Sequence, residues 1–286
     1  MKSIDDIKSV GVIGAGTMGQ GIAQISAMAG YQTILYDIDE KALENAINLI
    51  EGNLKKGIEK GKVTGAEKQQ ALALISTSTK ITEVVADFIV EAIVEKLDIK
   101  RAVFTQLEQI NKEDAILASN TSSIPITQIG AQLKHPDRFV GMHFFNPAYI
   151  MKLVEVISGA ATSPEVAMLT REFAEKLNKV AVMANDSPGF IVNRVARHFY
   201  VEGLKVLEEG VASIETIDTL IQASGFKMGP FQLMDLIGVD TNFSVTTSMF
   251  NSFYQDPKFR PSRIQQQKVD AGHHGRKTGK GFYDYK

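Results

Sequence analysis

The sequence predicts an α/β protein, a mostly parallel sheet domain followed by an all-α C-terminal domain. Short apolar runs alternate with helical stretches through the first half, the sign of β-α-β units. A glycine-rich turn, GAGTMG at 14–19, joins the first of those runs to the first helix. From Phe190 onward the patterning is almost entirely helical.

The elements follow in order. SVGVIG (9–14) reads as a strand and MGQGIAQISAMAG (18–30) as a helix ending at Gly30. QTILYD (32–37) is the second strand, and lysine-rich helical sequence runs from about Lys41 to Lys60. In TGAE (64–67), Thr64 at the N-cap and Glu67 three residues later form a capping box that opens another helix. DFIVEAI (87–93), DAILASN (114–120) and RFVGMHFF (138–145) are later strands, with an amphipathic helix from about Lys96 to Asn111. NDSPGF (185–190) carries turn and helix-start chemistry, and FIVNRVARHFYVEGLKVLEEG supports a long helix closed by Gly210. The boundary is set there, with residues 1–187 in the sheet domain and 188–286 in the helical one.

Composition narrows the function. The 286 residues are 44% hydrophobic and 22% charged, the balance of an ordinary globular protein. A net charge of −2 gives no electrostatic case for a nucleic-acid or acidic-membrane partner. The absence of cysteine excludes disulfides, thiolate catalysis and cysteine-rich zinc sites, and it suits a reducing cytoplasm. MKSIDDIKSVGVIG has two aspartates and no long apolar run, so neither a signal nor a transit peptide is expected, nor a module before the first strand. No run of about eighteen apolar residues occurs, so no membrane span is expected.

The glycine-rich turn places Gly14, Gly16 and Gly19 in G-x-G-x-x-G spacing, after a strand and at the head of a helix. Glycines let the backbone turn tightly and approach a pyrophosphate, whose charge sits at the helix N-terminus. The next strand ends in Asp37, a carboxylate suited to the adenosine ribose hydroxyls. Ile38 follows it, so no cation is placed to neutralise a ribose 2′-phosphate, and NAD is expected over NADP. The first domain is therefore Rossmann-type.

Two polar residues sit in apolar strand sequence, His143 and Glu155 in GMHFFNPAYIMKLVEVI. His143 reads either as a satisfied core residue or as a general base. Glu155 is harder to leave structural, because an unpaired buried carboxylate costs several kcal/mol or must take a proton. The turn NPAY can return the chain so that Glu155 pairs with His143 and fixes its tautomer. SNTSSIP (119–125) follows a strand and so lies at the carboxyl edge of the sheet, where ligands bind in open α/β folds. Ser122 and Ser123 there either meet a ligand or cap a short helix. Asn193, early in an apolar helix, is a poor helix former and reads as an exposed position or a site residue. His135, His198, His273 and His274 show no metal-ligand spacing, and no metal is expected.

Together these residues resemble the L-3-hydroxyacyl-CoA dehydrogenases, most of all the short bacterial 3-hydroxybutyryl-CoA dehydrogenases. The likeness spans nearly the whole chain: GVIGAGTMGQGIA, EAIVEKLDIK, SNTSS, GMHFFNP, KLVEVI, DSPGFIVNR, MGPFQLMDLIGVD and GRKTGKGFYDY, in that order. The resemblance implies that His143 is the catalytic base and Glu155 its paired acid. It implies that Ser122 and Asn193 bond the reacting oxygen or help place substrate and nicotinamide. Gly14, Ala15, Gly16, Thr17, Met18, Gly19 and Asp37 would hold NAD, joined by Glu95, Lys100, Ser122, Asn146 and Lys277. Asn53, where relatives can carry serine, Lys60 and Ser122 match positions that meet coenzyme A. The implied reaction is reversible oxidation of an (S)-3-hydroxyacyl-CoA to a 3-ketoacyl-CoA, in fatty-acid or butanoate metabolism, by a homodimer joined through its helical domain. Two alternatives stay open: a uronate or polyol dehydrogenase on the same scaffold, and a non-catalytic dinucleotide binder.

Overall fold

The computed structural model describes residues 3–285. The chain divides into two compact units, Met1–Ser187 and Pro188–Lys286. The first is built on one sheet of eight strands: β1 (Ser9–Ile13), β2 (Gln32–Tyr36), β3 (Ile75–Ser78), β4 (Phe88–Glu91), β5 (Ile116–Ser119), β6 (Phe139–Phe144), β7 (Leu153–Ser158) and β8 (Val180–Asn185). Their order is β3-β2-β1-β4-β5-β6-β7-β8. Only β6 and β7 run antiparallel to each other; the other neighbours are parallel.

The helices of this unit are α1 (Thr17–Met28), α2 (Glu40–Glu59), α3 (Gly65–Ala73), α4 (Leu97–Ile110), α5 (Ile126–Gly130) and α6 (Pro164–Lys176). The central strands β4 and β5 are buried along their whole length, as parallel strands covered on both faces must be. Their short apolar runs follow from that burial. Phe88 of β4 stacks on Phe173 of α6 with ring centres 4.2 Å apart, tying helix to sheet. The Thr64 capping box is formed, its hydroxyl accepting from the Glu67 N–H.

The strand order reverses between β1 and β4, leaving β2 and β3 on one side and the remaining strands on the other. A crevice opens at such a reversal beyond the carboxyl ends of the strands, where open α/β sheets bind ligands. Here those ends are Ile13 and Glu91, paired in register.

Two strands and one helix lie where the sequence reading assigned no element. β3 is short and polar at three of its four positions, so it lacks the apolar run of a central strand, whereas β8 carries such a run over 180–184 but stands largely exposed. Both are edge strands. Helix α6 begins at Ser163, whose hydroxyl accepts from the Val166 N–H, with Pro164 in the first turn.

The second unit is helical: α7 (Val192–Glu208), α8 (Ile214–Ala223), α9 (Pro230–Ile237), α10 (Val239–Ser252) and α11 (Arg263–Asp270). Tyr200, Leu204, Ile217, Phe231, Met234, Val239 and Phe282 form its core. Two buried carboxylates organise it. Asp218 of α8 accepts from the Phe231 and Gln232 N–H groups at 3.0 and 2.9 Å, capping α9, whose own N-cap is Gly229. Asp235 accepts from the Phe282 and Tyr283 N–H groups, each at 2.9 Å, and so pins the end of the chain to α9.

Candidate active site

The turn after β1 has little room for side chains. A Cβ on Gly19 would stand 1.7 Å from the Gly14 carbonyl oxygen, and one on Gly14, at φ 100°, would stand 2.8 Å from that of Ala92. Gly16 is the N-cap of α1 and supplies no side-chain cap, and nothing lies within 4 Å of where its Cβ would be. The first N–H groups of α1 thus face an open approach at the positive end of the helix, the arrangement that takes a pyrophosphate. Asp37, just past β2, accepts from the Ala15 N–H at 2.7 Å and holds the turn against the strand end. Its neighbour Ile38 is 84% exposed and brings no charge. This cradle fits a dinucleotide.

A buried charge network lies beside it. Glu91 ends β4, and Lys100 lies in the first turns of α4; neither side chain is more than 1% exposed. Lys100 Nζ donates to Glu91 Oε1 at 2.5 Å and lies 3.2 Å from Glu95 Oε2. Glu91 also accepts from the Ser119 hydroxyl at 2.6 Å and the Ile93 N–H at 2.8 Å. Burial pushes the Glu91 carboxyl above the usual range, against the pull of Lys100 and these donors. Burial is also the largest influence on Glu95, but Lys100 and the bonds from Thr121 and Ser122 outweigh it and hold that carboxyl low.

Glu95 in turn orders the SNTSS segment. Its Oε1 accepts from the Thr121 hydroxyl at 2.6 Å and from the Ser122 and Ser123 N–H groups at 2.9 and 3.1 Å. Ser122 is thereby fixed at the carboxyl edge of the sheet, beyond β5. Glu91 was missed by the sequence reading, although it carries the same signal as Glu155: a carboxylate inside an apolar strand.

His143 and Glu155 face each other across the only antiparallel pairing in the sheet, directly opposite in register. They are 3% and 1% exposed, and His143 Nδ1 lies 2.7 Å from Glu155 Oε2. Adjacent strands bring opposed Cβ atoms within about 5 Å, so the register alone sets this contact. With Nδ1 turned to Glu155, the carboxylate fixes the orientation of the imidazole ring. Two further groups hold the strand end and the returning turn. Asn120 Oδ1 accepts from the Phe144 N–H at 2.8 Å, next to the histidine. Lys179 Nζ donates to the Ala148 and Met151 carbonyls at 2.5 and 2.9 Å.

The other predicted positions are more scattered. Asn146 is exposed just after β6. Asn53, on α2, donates to Gln24 Oε1 at 3.5 Å, and Lys60 is the exposed C-cap of that helix. Asn193 and Lys277 belong to the second unit. Asn193 opens α7, and Lys277 Nζ lies 2.7 Å from Asp240. The structure brings together the glycine turn with Asp37, Glu95 with Lys100 and Ser122, and His143 with Glu155.

Residues 9–187 match the family described as 3-hydroxyacyl-CoA dehydrogenase, NAD binding domain, and residues 189–285 match its C-terminal domain. A 3-hydroxyadipyl-CoA dehydrogenase of Escherichia coli K12 is 46% identical over 98% of this chain; the chain spans 60% of that relative's length. A probable 3-hydroxybutyryl-CoA dehydrogenase of Bacillus subtilis strain 168 is 43% identical, with 98% of each chain covered. The crystal structure of an (S)-3-hydroxybutyryl-CoA dehydrogenase from Ralstonia eutropha superposes with a TM-score of 0.93 at 40% identity, covering 98% of this chain and 99% of that one.

Proposed function

The chain belongs to the 3-hydroxyacyl-CoA dehydrogenase family and is an NAD-dependent dehydrogenase, and on that premise we propose that it reversibly oxidises short-chain (S)-3-hydroxyacyl-CoA, 3-hydroxybutyryl-CoA included, to the 3-ketoacyl-CoA. The observation that carries the proposal is the buried His143–Glu155 pair at 2.7 Å. An enclosed carboxylate holding one imidazole nitrogen is the equipment of a general base.

Each residue has a part in this reading. His143 takes the C3 hydroxyl proton at Nε2. Glu155 holds the ring in one orientation and stabilises the positive charge that develops on it. Ser122 and Asn193 hydrogen-bond the reacting oxygen, and Glu95 keeps the Ser122 backbone in place. The glycine turn with Ala15, Thr17 and Met18 binds the pyrophosphate, and Asp37 the adenosine ribose. Lys100, Asn146 and Lys277 complete the cofactor contacts, while Asn53 and Lys60 meet coenzyme A. Bound NAD supplies the hydride acceptor.

The relatives' names differ in the acyl group, 3-hydroxyadipyl in one and 3-hydroxybutyryl in others. The protein works as a homodimer through its helical unit and resides in the cytoplasm; among the described residues no helix is long and apolar enough to cross a membrane.

The test is turnover of acetoacetyl-CoA with NADH against turnover of free 3-hydroxy acids with NAD. Oxidation of NADH by the thioester, with little reaction of the free acids, is the expected result. Preference for a free hydroxy acid would favour a uronate or polyol dehydrogenase. Binding of NADH without turnover of any acyl-CoA would favour a non-catalytic role.

A further inference from the structure

The segment that carries Ser122 and the strand that carries His143 are joined by the side chain of Asn120, which is 9% exposed. The backbone register of β5 with β6 ends at Ser119 and Gly141, while β6 runs on through Met142, His143 and Phe144. Asn120 takes over beyond that point. Its Oδ1 accepts from the Phe144 N–H at 2.8 Å, as a strand carbonyl would. On the other side β7 sets Glu155 opposite His143 and Val154 opposite Phe144. The end of β6 is therefore held from both sides.

The other end of this link is equally fixed. The Asn120 N–H donates to the Glu91 carbonyl at 2.8 Å. Ser119 before it donates its hydroxyl to Glu91 Oε2, and Thr121 after it to Glu95 Oε1, each at 2.6 Å. Both carboxylates are in turn tied to the Lys100 cation. A short amide anchored in this way is a rigid spacer, because its support is itself locked. Strand capping accounts for a bond to the Phe144 N–H, but not for where that bond stands. It joins the residue after His143 to the residue two before Ser122, and two residues span at most about 7 Å of chain.

We propose that Asn120 is a positioning residue, which sets the distance between the Ser122 hydroxyl and the His143 imidazole so that both reach one substrate oxygen. This rests on the function proposed above, in which Ser122 bonds the C3 oxygen and His143 takes its proton. Asn120 itself touches neither substrate nor cofactor. Two groups that must converge on one atom tolerate little drift, and a misplacement of about 1 Å costs about 100-fold in rate. Each group keeps its own anchor without Asn120: Glu95 still holds the Ser122 backbone, and Glu155 still holds the imidazole. What is lost is their mutual spacing, so binding should survive while turnover falls.

The experiment measures kcat and KM for acetoacetyl-CoA reduction, together with the Kd for NADH and the melting temperature, in the parent, Asn120→Ala and Asn120→Asp. Asn120→Ala should lose roughly 10- to 100-fold in kcat, with KM and the NADH Kd within about threefold of the parent. Asn120→Asp has the same shape and still offers an oxygen to the Phe144 N–H, so it should recover most of that loss. A folded Asn120→Ala with the parent's kcat, altered only in melting temperature, would overturn the proposal and leave Asn120 a strand cap. So would a loss that falls on KM or on the NADH Kd with kcat intact, or an Asn120→Asp as slow as Asn120→Ala. Should Asn120→Ala not fold, Asn120→Ser takes its place. Its hydroxyl falls about one bond short of the Phe144 N–H, so kcat should drop about tenfold, and a kcat equal to the parent's would overturn the proposal. A parent that does not reduce acetoacetyl-CoA would overturn the function proposed above and this role with it, whereas an active parent with an unaffected Asn120→Ala overturns the role alone.

Discussion

Lys100 Nζ lies 2.5 Å from Glu91 Oε1, with both side chains sealed from solvent. One ion pair thus stands under the carboxyl end of the central strands, and through Glu95 it reaches the backbone of Ser122.

Glu91→Gln should therefore be costly, for it leaves the Lys100 cation buried with only Glu95 beside it. A loss of about 3 kcal/mol is expected, the usual result of removing one partner of a buried pair. Thermal unfolding of the two proteins checks this. Equal melting temperatures would mean that Lys100 is satisfied without Glu91.

Glu95 gives a pH prediction. Its carboxyl is held below the ordinary value of 4.5, so the stability it adds is fully present above that value and is lost as pH falls through its lower folded value. The melting temperatures of the parent and Glu95→Gln should differ at pH 7 and converge as pH drops below about 4.5. A gap that stays constant with pH would show that ionised Glu95 does not hold the SNTSS segment.

Cofactor choice should follow Asp37 and Ile38. A carboxylate at the ribose, with no cation beside it, repels a 2′-phosphate, so kcat/KM with NADH should exceed that with NADPH by about tenfold or more. Equal or better use of NADPH would overturn this reading of Asp37.

Much of this was legible in the sequence because the informative residues break a local pattern. Gly14, Gly16 and Gly19 interrupt a strand-to-helix run, and Glu155 puts a charge in an apolar strand. Buried strands β1, β4, β5 and β6 announced themselves by continuous apolar sequence. Strand β3 did not, because an edge strand can shorten and stay polar; β8 carries an apolar run over 180–184 and was passed over all the same. Glu91 was available by the same rule as Glu155, and Arg197 by the matching rule for helices, a charge on the apolar face of α7. What the sequence could not supply is partnership: that Lys100 answers Glu91, or that no acid among the described residues answers Arg197, depends on contacts distant in the chain.

The central claim is that His143 and Glu155 act as one base. It is tested most directly by a double-mutant cycle on kcat/KM for 3-hydroxybutyryl-CoA oxidation, with NADH affinity as the control for folding. His143→Gln should lose roughly 10²–10⁴ in rate, the range for a general acid–base, and Glu155→Gln should lose less. Groups that act as a unit are strongly non-additive, so the double variant should be no slower than His143→Gln alone. Losses that multiply in the double variant, or near-normal turnover by His143→Gln, would contradict the account.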